Sequence, residues 1–68
     1  MGSETLEARL RQLLAADMNA RDVYEDLARN VPDKKLAALF DAIAKDEARH
    51  VATWKGLLSL LEKMSPSF

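Results

Sequence analysis

Asp17, Glu47 and His50 are the residues of this 68-residue sequence whose types and spacing could do chemistry, because they alone interrupt two otherwise apolar seams. Two carboxylates and one imidazole make an oxygen-rich donor set with a single nitrogen, which suits a divalent or trivalent first-row metal. Carboxylates also bridge paired ions, offset their charge and leave open positions for water or oxygen species. Other chemistries drop out early. There is no cysteine, so thiolate ligands, disulfides and cysteine nucleophiles are excluded. A single histidine rules out a His-rich zinc site within one chain. No serine nucleophile arrangement and no phosphate-cradling glycine loop is present.

The elements that must position these residues are helices. Leu, Ala, Glu, Lys and Arg dominate, glycine and proline number two each, and aromatics are sparse. The strong break is Asn30-Val31-Pro32-Asp33: Asn suits a helix C-terminus, Pro the first turn of a new helix, and Asp its positive end. The spacing predicts helix 1 over about residues 5–29, a turn at 30–32, helix 2 over about 32–63 and a tail at 64–68. Gly56 inside helix 2 either permits close approach of another helix or is simply tolerated.

Steps of four and three mark one face of each helix. The first seam is Leu6, Leu10, Leu13, Asp17, Ala20, Tyr24, Leu27 and Val31. The second is Leu36, Phe40, Ile43, Glu47, His50, Trp54, Leu57, Leu61 and Met64. Leu14, Ala28, Leu39, Ala44, Val51 and Leu58 widen each stripe, so each helix needs more than one neighbour. In a tight antiparallel hairpin Asp17 lies about 14 residues before the turn and Glu47 about 15 after it, placing both roughly 22 Å along the axis. His50 is one turn beyond Glu47 on the same face. The same count pairs Tyr24 with Phe40 and Leu10 with Trp54, as apolar layers closing the polar one from both ends. The three exceptions are therefore expected to converge, and to be buried once the bundle is assembled.

With these residues in view, the chain resembles the ferritin-like, rubrerythrin-type family. That family's half-unit has Glu-x-x-Ala-x-x-x-Tyr on one helix and Glu-x-x-His on the next. Here the first stretch reads Asp17-Met18-Asn19-Ala20-Arg21-Asp22-Val23-Tyr24 and the second Glu47-Ala48-Arg49-His50. Phe40 to His50 is also similar to the family's second helix, and the likeness covers about Leu13 to Leu61. It implies an all-α fold, an antiparallel two-helix hairpin that pairs with a second chain into a four-helix bundle, as in the encapsulated-ferritin type. It further implies two iron ions per dimer site, with Mn or Zn as alternatives, and Fe(II) oxidation or peroxide chemistry of a ferroxidase or rubrerythrin-like kind. Carried over, Glu47 is the bridging ligand, His50 a terminal nitrogen ligand, Asp17 a terminal ligand, and Tyr24 a hydrogen-bond donor behind the ligands. Asp46, Asp22 or Asp17 of the partner subunit would orient His50. The sequence departs from the pattern at Asp17, one methylene shorter than the family's Glu, which weakens the case for redox chemistry.

Size and charge bound the partners. A net charge of -1, with Lys and Arg spread along the chain, points neither to nucleic acid nor to an anionic membrane surface. No secretory signal pattern or membrane-length apolar run is evident, so a cytoplasmic location is expected. No small organic substrate is evident. A disulfide-free unit below about 70–80 residues rarely supplies enough core alone, so a metal, a homo-oligomer (a dimer or ring of dimers), or both are expected. Plainer readings stand beside the sharp one. His50 alone reads as a satisfied core histidine, Glu47 as a register-fixing polar residue, and Asp17 as a salt-bridge partner of Arg21. Jointly these give the alternative of a metal-free oligomerisation hairpin with a buried polar layer. A third option is a hairpin that docks on a larger partner through its apolar stripe.

Overall fold

A computed structural model describes residues 5–64 as two helices packed antiparallel, α1 (Leu6–Asn30) and α2 (Lys34–Met64). The ends follow local chemistry. The Thr5 hydroxyl accepts a hydrogen bond from the Ala8 backbone N–H at 3.0 Å, satisfying one of the free donors of the first turn. Glu7 and Arg29 complement the two ends of the α1 dipole. The expected tail at 64–68 lies outside the described residues except for Met64, which closes α2.

The turn differs from expectation in one respect. Pro32 is not in the first turn of α2; Asp33 caps the helix, its Oδ1 accepting from Leu36 N–H at 2.9 Å and its carbonyl from Ala37 N–H at 2.9 Å. An aspartate can cap free N–H groups and proline cannot, so the helix begins one residue after Asp33. Lys34 and Lys35 oppose the positive end of α2, which has no acidic residue in its first turn, so Asp33 is its nearest compensation. α1 ends without a left-handed residue: Val31 is extended (φ -75°, ψ 131°) and no described residue other than glycine has positive φ. The proline that follows Val31 disfavours helical geometry there. Asn30 stays helical, and its side-chain amide donates to the Asp26 carbonyl at 2.7 Å.

The packing splits each apolar seam into two rows of seven-residue spacing. One row on each helix (Leu10, Asp17, Tyr24, Val31; Phe40, Glu47, Trp54, Leu61) is buried or half-buried. Among the described residues four are buried: Leu10, Ala44, Val51 and Leu58. Three of those belong to the flank of the α2 stripe rather than to the seam itself. The other seam row faces solvent: Leu6, Leu13 and Leu27 on α1, with Ala20 half-buried, and Leu36, Ile43, Leu57 and Met64 on α2. The molecule measures 49 × 23 × 11 Å, the thickness of a single layer of helices. Its radius of gyration of 15.5 Å exceeds the roughly 11 Å of a compact domain this long.

Gly56 has open space around it, since an added Cβ would meet nothing within 4 Å. Of its two readings, close approach within the hairpin is ruled out. Gly56→Ala is expected to raise stability by about 0.5–1 kcal/mol through helix propensity. A lowered thermal midpoint instead would mean that another helix packs tightly on this position in the assembled protein.

Candidate metal centre

The hairpin brings Asp17, Glu47 and His50 together, as the height count anticipates. One ligand atom from each lies within 4.8 Å of the other two. Glu47 and His50 share a face of α2 through their i, i+3 spacing, with His50 Nδ1 3.4 Å from Glu47 Oε1. Asp17 reaches across from α1, its Oδ2 4.0 Å from His50 Nδ1. Two ligands on one ion at bonds of about 2.1 Å are roughly 3–4 Å apart. The Glu47–His50 pair already has that separation, and the full set needs about 1 Å of closure by the same geometry.

The single chain does not enclose this site. Asp17 and Glu47 are half-buried, with side chains 23% and 20% exposed, whereas His50 is 55% exposed. His50 occupies the centre of the solvent-facing row, between Leu36 and Ile43 on one side and Leu57 and Met64 on the other. Glu47 Oε1 is buried and accepts no hydrogen bond. A buried carboxylate oxygen without a donor is costly and calls for a cation or a donor. The ion pairs of Arg11, Arg21, Arg29, Lys45 and Arg49 are all with other acids, and Oε1 itself faces His50 Nδ1 at 3.4 Å. Arg21 in particular binds Asp22 at 3.2 Å, which removes it as the expected partner of Asp17.

Asp17 is instead held by Trp54, whose indole Nε1–H donates to Oδ2 at 2.5 Å. The sequence reading placed Trp54 in an apolar layer with Leu10 and missed this bond. The missed signal is directional: helical side chains lean toward their own N-terminus. In antiparallel helices Trp54 therefore leans toward the turn and Asp17 away from it, so they meet at the polar layer. Tyr24 stacks on Phe40 in the next layer toward the turn, with centroids 6.3 Å apart and planes at 25°. That is the pairing the height count gave; the Tyr24 ring contact supplies no hydrogen bond to the three candidate ligands within one hairpin. Asp46 pairs with Arg49 and Asp22 with Arg21, so neither orients His50 within the chain.

Compared with protein-family models, curated proteins and solved structures, the chain matches none. The donor set and the Glu47 oxygen that accepts no hydrogen bond are thus what tests the fit to a metal. They fit. In metal-free protein Glu47→Leu is expected to stabilise the fold by about 1–3 kcal/mol of relieved desolvation, seen as a raised thermal midpoint. An unchanged or lowered midpoint would show that Oε1 is satisfied in solution.

Proposed function

We propose that this chain is half of a ferritin-like, non-haem di-metal protein whose site is completed when two copies pair into a four-helix bundle. The observation that carries the reading is the position of His50. It is the one polar member of an exposed, otherwise apolar row, and its Nδ1 stands 3.4 Å from a buried carboxylate oxygen that accepts no hydrogen bond. A second hairpin laid on that row would cover Leu36, Ile43, Leu57 and Met64 and face its own His50, Glu47 and Asp17 toward the first set. Four carboxylates and two imidazoles would then surround two ions, iron by the closest resemblance. Such a metal pair, when bound, supplies redox chemistry toward oxygen or peroxide, with Fe(II) oxidation the expected reaction.

The chain's own residues have separable tasks in this scheme. Glu47 supplies an already desolvated carboxylate, and His50 the nitrogen donor one turn away. Asp17 brings the carboxylate of the second helix to the same level. The apolar layers at Tyr24 and Phe40, and beyond Trp54, exclude water from both ends of the site, which strengthens its electrostatics. No described helix is long and apolar enough to cross a membrane.

One observation favours the metal-free alternative. The Trp54–Asp17 hydrogen bond already gives one of the two carboxylates a partner. In that reading the layer only specifies pairing, and replacing Asp17, Glu47 and His50 together with Leu or Met leaves the assembly intact and more stable.

Elemental analysis of protein purified from iron-supplemented cells separates the two. The di-metal reading expects about one metal per chain, lost in Glu47→Ala; a value below about 0.2 that ignores this substitution refutes it. Pairing is tested in parallel. Ile43→Glu places a charge in the exposed row, two turns from His50, and replaces none of the three ligand residues. It is expected to convert a dimer or larger ring to monomer in sedimentation and to remove bound metal with it. Full metal content in a monomeric Ile43→Glu protein would show that a single hairpin suffices.

A further inference from the structure

We propose that Trp54 is a positioning residue for Asp17, its indole N–H holding the carboxylate at the level of Glu47 and His50. The inference rests on the di-metal reading and deepens it. Asp17 hangs from α1 while the other two donors share α2, so the set is only as well defined as the link across the helix interface. Trp54 supplies that link from α2. Its N–H bonds Oδ2, the same oxygen that lies 4.0 Å from His50 Nδ1, so the bond fixes the ligand-side oxygen beside the ring. An indole N–H only donates, so it offers no lone pair that competes for a metal. An oxygen with two lone pairs accepts this bond and keeps a second direction free.

His50 Nδ1 stands 4.0 Å from the same oxygen, beyond hydrogen-bond length. Arg21, one turn away on the same helix, is committed to Asp22. Both Trp54 and Asp17 are half-buried, so their bond is partly sheltered from water. A glutamate at position 17 would reach the site by its own length; the shorter aspartate reaches a fixed place because the indole meets it there. Ligand-orienting partners of this kind typically change metal affinity 10- to 100-fold when removed.

The sequence has one tryptophan, so the test has a single indole resonance to follow. In the metal-free full chain, the indole N–H signal in a proton–nitrogen NMR spectrum is expected to be shifted and slow to exchange with solvent. Asp17→Ala should return it to the position and exchange rate of a free indole. The second arm is Co(II) binding by equilibrium dialysis. Trp54→Phe keeps most of the ring and is expected to weaken binding 10- to 100-fold. In an Asp17→Ala background the same change should add no further loss. Equal losses in both backgrounds, or none, overturn the positioning role, as does a free-indole signal in the wild type. If Trp54→Phe fails to fold, the wild-type and Asp17→Ala indole spectra still decide whether the bond exists. Absence of Co(II) binding by the wild type overturns the metal reading and the positioning role toward it. A free-indole spectrum with normal wild-type Co(II) binding overturns the Trp54 inference alone.

Discussion

Two helices form one layer, and one layer cannot bury stripes this broad. Protein domains are built from packed layers because each amphipathic element must hide its apolar face against another. Here α1 and α2 hide one row of each seam and the α2 flank of Ala44, Val51 and Leu58 against each other. The remaining row, from Leu6 to Leu27 on α1 and from Leu36 to Met64 on α2, is left in water. Four buried residues are a small core for a chain without disulfides. The open row is thus not a scatter of surface leucines but the unpaired half of a continuous pattern, which is what a second layer would require.

The polar cluster lies on the boundary between these two halves. Asp17 and Glu47 belong to the inward rows and His50 to the outward one, so the donors point along the line where hairpin interior meets open face. That position explains the unequal exposure of three residues that stand at one height. Within the hairpin its buried member, Glu47 Oε1, accepts no hydrogen bond, and its exposed member, His50, is open to solvent. The proposed pairing addresses both with the same surface.

Much of this was legible in the sequence because it depends on counting. The 3.6-residue period and the break at Pro32 yield two helices, and the distances from that break put Asp17 level with Glu47 and Tyr24 level with Phe40. Seam spacing did not reveal which row faces inward. Steps of three and four define a face about two residues wide, and the choice between its halves depends on how the helices rotate against each other. In the hairpin that rotation buries Ala44, Val51 and Leu58 on the flank of the α2 stripe, which pattern alone does not encode. The start of α2 moved by two residues because Asp33 outcompetes Pro32 as a cap.

Trp54 shows the remaining gap most clearly, and also why the departure at position 17 is coherent. Read as an amphipathic pattern, Trp54 is one more large apolar residue. Its N–H, however, has to be satisfied when the ring is packed, and Asp17 is the acceptor that the lean of both side chains brings within reach. A longer carboxylate at position 17 would carry its oxygens about one bond length past the point where the indole now meets them. The short acid and the indole are therefore one arrangement: reach lost on α1 is made up by a donor on α2. In the proposed site Asp17 is thus a carboxylate held in place by a cross-helix bond rather than by its own length.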